Sequence, residues 1–160
     1  MIVRLARPED EEAIWDILRP TLRAAETYAV SPDLTREEAL AYWFSPAHEV
    51  FVAEEDGRVL GTYYMRPNQQ GGGRHVANCG YMTAPAAQGR GVARRMGEHS
   101  LEHAKWRGFR AIQFNFVVST NERAVALWQR LGFAIAGTLP GAFEHPRLGF
   151  VDAFVMFRAL

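Results

Sequence analysis

Two glycines two residues apart, Gly89 and Gly91, follow Pro85 and run straight into a helical pattern. Val92, Ala93, Met96, Gly97, Leu101 and Ala104 share one face of it. Arg94, Arg95, Glu98, Glu102 and Lys105 share the other, and Gly108 stands where a C-terminal cap belongs. A glycine-rich turn feeding a helix exposes unpaired backbone N–H groups at the positive end of the helix dipole, which is a place for phosphate. The N–H groups of Gly89, Gly91, Val92 and Ala93 are the predicted donors. Gly91 is expected to need a positive φ or a close approach by phosphate. No Gly-Lys-Ser/Thr is present, and Arg94 replaces the third glycine of a dinucleotide turn, so neither familiar nucleotide loop fits. Of Arg90, Arg94 and Arg95, one is expected to grip phosphate and the others to lie on a solvated face. From these residues alone, a glycine turn backed by a core helix remains the alternative.

Two amides interrupt apolar runs: Asn78 within His75–Thr83 and Asn115 within Ala111–Val118. A buried amide is costly unless paired. It can orient a substrate by donating and accepting, but cannot take a proton. Cys79 invites a nucleophilic reading, yet a lone strand cysteine is more often small buried filler. It is the single cysteine, so no intrachain disulfide and no cysteine-based zinc site can form, and no metal is expected. A general base is not singled out. His75, Glu26, Glu144, His145 and Asp152 are the candidates.

The elements that must hold these residues can be read in order. Ile2–Arg7 alternates as a first strand. A helix opens at Pro8, with Ala13, Ile14, Ile17 and Leu18 on its apolar face, and Pro20 is expected to kink or end it. Leu22–Val30 reads as a helical turn and then a loop. Asp33 or Thr35 caps a second helix that Pro46 stops. Val50–Glu54 and Arg58–Arg66 form a hairpin about Asp56-Gly57. His75–Thr83 is a fourth strand, in which Gly80 marks a bulge or a close backbone approach. Ala111–Val118 has the apolar character of a buried parallel strand. Ser119-Thr120-Asn121-Glu122 reads as a capping box. Phe133–Leu139 and Phe150–Phe157 are the last strands, with Pro140, Gly141, Glu144, His145 and Pro146 in a loop between them. The order β-α-α-β-β-β-α-β-α-β-β predicts an α/β (α+β) fold: a mixed sheet of about seven strands with helices on both faces.

Gln88-x-x-Gly91-x-Ala93 resembles the pyrophosphate-binding motif of the GCN5-related N-acetyltransferases (GNAT). Asn121-x-x-Ala124-x-x-Leu127-Trp128, with Gly132-Phe133, resembles a second motif of that family at its expected separation. The element order resembles the family across residues 1–160, which are expected to form a single N-acetyltransferase domain. The resemblance implies acetyl-CoA as cosubstrate, with Gln88, Gly89, Arg90, Gly91, Val92 and Ala93 at its pyrophosphate and Asn121 at its pantetheine arm. It implies a backbone N–H at Met82, or at a neighbour such as Tyr81 or Thr83, polarising the thioester carbonyl. Trp128 stands where the family has a Tyr that protonates the departing thiolate. An indole can donate a hydrogen bond but cannot give up its proton, so Trp128 is either a donor or simply core. Asn78 replaces the Glu base of many relatives. In the family the fourth and fifth strands splay around the acetyl group, which would set Asn78 and Asn115 near the reacting centre. There they would orient the amine, or else satisfy backbone groups at the splay. A weaker resemblance, carried by Asn78, Asn115, Asn121, Ala41–Pro46, Gly61–Tyr64 and Phe114–Val118, is to the proline-analogue (azetidine-2-carboxylate) acetyltransferases. It implies a detoxifying role.

The expected activity is therefore transfer of an acetyl group to a small-molecule amine, with an amino or imino acid as acceptor. A protein or peptide acceptor and a non-catalytic CoA-binding module are the alternatives. A formal net charge of zero argues against broad binding to nucleic acid or membrane. Early charges, Arg4, Arg7 and Glu9–Glu12, speak against a signal peptide, and the cytoplasm is the expected location. Apolar surface at the final strands is compatible with a homodimer.

Overall fold

The computed structural model describes residues 1–160. The elements run β1 (Ile2–Leu5), α1 (Glu11–Ala24), α2 (Arg36–Trp43), β2 (Glu49–Glu55), β3 (Arg58–Pro67), β4 (Val76–Thr83), α3 (Val92–Trp106), β5 (Ala111–Val118), α4 (Glu122–Arg130), β6 (Ala134–His145) and β7 (Gly149–Ala159). They build one seven-stranded sheet in the order β1-β2-β3-β4-β5-β7-β6. Strand alternation divides the core. Val50, Val52, Tyr64 and Met82 face α1 and α2, where Ile14, Leu18, Leu40 and Trp43 are buried. Phe51, Tyr63, Cys79 and Phe114 face α3 and α4, against Met96, Ala104 and Trp128.

Of the two outcomes expected at Pro20, a kink or an end, the end is not found: helix α1 continues to Ala24. The carbonyl that loses its helical partner belongs to Asp16, on the solvent-exposed face of the helix. The segment expected to loop between the last strands is mostly strand. β6 extends to His145 and pairs with β7 across an irregularity between Leu139 and Phe143. β6 is the sheet edge, so Pro140 costs no ladder bond within a central strand. The cap of α4 is Asn121, whose side chain accepts from Ala124 N at 3.4 Å, and not Ser119. The second helix is capped as expected, by a Thr35–Glu38 capping box. Ile135, Leu139 and Phe150 on the last hairpin remain exposed.

The site is set by the junction of β4 and β5. The strands are parallel but pair only at Val76–Ala111 and Ala77–Ile112. Beyond these, β4 stays with β3 through Thr83, whereas β5 turns toward β7, its register breaking between Phe114 and Val117. A gap opens between the C-terminal halves of two neighbouring strands.

Candidate active site

A cleft of about 790 Å³ runs along this gap, from the turn before α3 to the face covered by α1 and α2. Asn78, Met82, Thr83, Gln88, Gly89, Gly91, Val92, Ala93, Asn115, Asn121 and Trp128 all line it. Arg90 does not. Its guanidinium pairs with Glu55 at 2.5 Å on the hairpin side of the turn. The carboxylate there outcompetes the cleft, and of the three arginines Arg94 is the one that lines it.

At the helix end the turn is shaped as its glycines predict. Gly89 and Gly91 have φ of +77° and +79°, and a Cβ on either would project into open space. Gly91 caps α3. The first backbone bond it accepts comes from Arg95 N, so the N–H groups of Val92, Ala93 and Arg94 have no helical partner. Free donors, positive dipole and an unobstructed approach fit a pyrophosphate.

In the middle of the gap the ladder decides which amides are free. Ala84 N donates to Leu60 O and Asn68 N to Val76 O, at either end of the β3–β4 pair. Alternation then makes Thr62–Met82 a hydrogen-bonded pair. The Met82 N–H is thus spent on β3, and its buried side chain packs under α1 and α2. The N–H groups of Tyr81 and Thr83 point the other way, into the gap. Of the three amides expected as possible polarising donors, those of Tyr81 and Thr83 face the gap and that of Met82 does not.

Trp128 is both core and lining. Its ring packs on Tyr81 and Phe114, with centroids 4.7 and 4.8 Å away. No buried side-chain polar atom lacks a partner, and no protein group accepts from the indole nitrogen, so its N–H opens onto the cleft. Cys79 lines the same wall, and burial pushes its thiol up to about 12. A thiol so reluctant to ionise is no nucleophile at neutral pH.

Across the sheet lies a second polar group. Asn78 Nδ2 donates to Gln113 O at 3.0 Å, replacing the backbone bond that β4 and β5 lose as they part. Its Oδ1 accepts from Arg66 Nε at 3.4 Å. Asn115 sits at the break in β5, accepts from Gln113 Nε2 at 2.9 Å and donates to Asn68 Oδ1 at 2.7 Å. Both amides therefore do the structural work of the splay and still face the cleft, each with a spare amide hydrogen. Gly80 is the close-approach case: a Cβ would stand 2.6 Å from the Tyr64 ring. Tyr64 stacks on His48 at 4.0 Å, and Tyr28 donates to Tyr81 O at 3.0 Å. Burial raises the phenols of Tyr28 and Tyr64 and lowers His48, so all three are neutral.

None of the base candidates reaches the cleft. Glu26 pairs with Arg147 at 2.9 Å, Asp152 accepts from Gly141 N at 2.9 Å, and His145 Nδ1 accepts from Arg147 N at 3.2 Å. His75 and Glu144 are exposed elsewhere. The residues that sequence reasoning left without a role are Arg66, Tyr28, Tyr42 and Tyr64. A cation ending the otherwise apolar run of β3 was the available signal.

An open glycine turn with free N–H groups at one end of a split sheet and a polar amide face at the other lie along one cleft. The model of the acetyltransferase (GNAT) family matches residues 12–133, and the chain belongs to that family. It is 30% identical over 151 residues to the N-acetyltransferase aca1 of Schizosaccharomyces pombe, covering 84% of this chain and 72% of that one. Among solved structures, a GCN5-related N-acetyltransferase from Kribbella flavida is 47% identical with a TM-score of 0.95, covering 99% of this chain and 97% of that one. A phosphinothricin acetyltransferase from Sinorhizobium meliloti in complex with acetyl-CoA shares the fold at 22% identity and a TM-score of 0.83, covering 99% of this chain and 88% of that one. The protein is thus a GNAT-type N-acetyltransferase. No helix is long and apolar enough to cross a membrane.

Proposed function

We propose that the chain transfers the acetyl group of acetyl-CoA to the amine of a small molecule of the amino- or imino-acid class, such as a proline analogue. The observation that carries this reading is the gap between β4 and β5, with free N–H groups at Tyr81 and Thr83 and a polar amide face beside it. Acetyl-CoA supplies the acetyl group as a thioester. The turn at Gly89–Ala93 holds the pyrophosphate, and Asn121, spending only its oxygen on the α4 cap, keeps its amide hydrogens for the pantetheine arm. The N–H groups of Tyr81 and Thr83 lie where developing charge on the carbonyl oxygen is stabilised. Asn78 and Asn115 orient the amine, which attacks as the free base. A C–N bond forms, the C–S bond breaks, and the amine proton leaves through water. The departing thiol has an ordinary pKa of about 8.5, so it leaves as thiolate with the Trp128 N–H as donor and no protein acid.

The test is thiol release from acetyl-CoA with imino acids, primary amines and peptides offered side by side, together with calorimetry for CoA. Turnover with an amino or imino acid is the expected result. Preference for peptides would reassign the acceptor to protein, and CoA binding without any turnover would make the chain a binding module.

A further inference from the structure

The charges along the cleft are unevenly placed. Four arginines line it, and no aspartate, glutamate or histidine does. Arg94, Arg123 and Arg130 belong to α3 and α4, on the phosphate side, and Arg94 is paired with Glu98 at 2.8 Å. Arg66 stands apart on β3, directly across the ladder from Asn78 and on the face covered by α1 and α2. It takes part in none of the molecule's ion pairs. Its one protein hydrogen bond is the long one from Nε to Asn78 Oδ1, so the Nη fork has no protein acceptor. Sharing the cleft with it are aromatic groups: Tyr64, the Tyr42 hydroxyl 3.5 Å from that of Tyr64, and Tyr28.

A half-buried guanidinium without an anion is an unmet electrostatic demand, and its planar fork matches a carboxylate bidentately. We propose that Arg66 anchors a free carboxylate of the acceptor, so that the acceptor is an α-amino or α-imino acid and not a polyamine, an aminoglycoside or a peptide lysine. This rests on the transferase reading above. In an α-amino acid the amine is one carbon from the carboxylate. A carboxylate on Arg66 therefore delivers the amine next to Asn78, whose other contact is the Gln113 carbonyl at the mouth of the gap. A polycationic acceptor would need acidic side chains, which this cleft lacks, and would be repelled by Arg66.

The experiment pairs each acceptor with a version lacking only the charge: L-proline and azetidine-2-carboxylate with their methyl esters and amides, assayed at a pH that equalises the free-amine fraction. The free acids are expected to exceed the esters in kcat/KM by at least about tenfold, the usual worth of a hydrogen bond to a charged group. Arg66→Gln should remove that ratio by raising the KM of the acids far more than that of the esters, and leave acetyl-CoA affinity unchanged by calorimetry. Arg66→Lys should restore part of it. Esters used as well as acids by the native protein would overturn the anchor while leaving the transferase reading intact. That comparison stands even should the Gln variant fail to fold. An acid-to-ester ratio untouched by Arg66→Gln would overturn the anchor equally. Absence of turnover with any amine would end both readings together.

Discussion

The two ends of the cleft are made differently. The end proposed for phosphate is a backbone device: two left-handed glycines, a helix start and three N–H groups without helical partners, all within a few consecutive residues. The acceptor end is a side-chain device, drawn from β3, β4, β5 and the segment after α1, whose members meet only because the sheet brings them together. A backbone device tolerates changes of side chain and fails when φ changes. A side-chain device fails residue by residue.

The sharpest break in this contrast is Gly91→Val. A β-branched residue at φ +79° is strained, and its side chain would occupy the space left for phosphate. The strain costs about 1–3 kcal/mol of folding stability, and the side chain standing in the phosphate's place should lower acetyl-CoA affinity by calorimetry by well over about tenfold in a protein that still folds. Unchanged affinity would take the turn out of the site. Next in size come Asn78→Ala and Asn115→Ala. Each is expected to cost more than about 1.4 kcal/mol in transition-state binding, a tenfold loss in kcat/KM toward the best amine, with acetyl-CoA affinity nearly constant. Full activity in both would leave these amides with only their role at the splay. The smallest effect is expected from Cys79→Ala. With its thiol near 12 by burial, the residue carries no thiolate at working pH, so kcat should stay within about twofold. Loss of turnover, with a burst of enzyme-bound acetyl in the native protein, would instead reveal a covalent intermediate.

The same contrast governs what could be read from sequence. Gly89, Gly91 and the α3 face lie close together in the chain, and the element order and parallel β4–β5 pairing follow from periodicity and the crossover. Whether the free N–H falls on Met82 or on its neighbours Tyr81 and Thr83 depends on parity along the ladder, and so on register, which the strand pattern alone does not fix. Arg90 turned to Glu55, thirty-five positions away in sequence. Arg66 and the tyrosines offered at most a weak local signal, a cation closing the apolar run of β3. Their meaning comes from cross-strand neighbours and from the absence of acidic groups around them.

The short seam between β4 and β5 has a further consequence. A sheet that parts after two residue pairs carries two strand edges inside the molecule. Exposed edges ordinarily invite another chain to add a strand. Here they are sunk in a cleft that admits something narrow and extended with amides of its own. Acetyl-CoA bound as proposed would take the place of a strand in that seam. A ligand filling the seam as proposed would add RT ln(1 + [L]/Kd) to the stability of the whole domain, so melting temperature should climb with cosubstrate concentration.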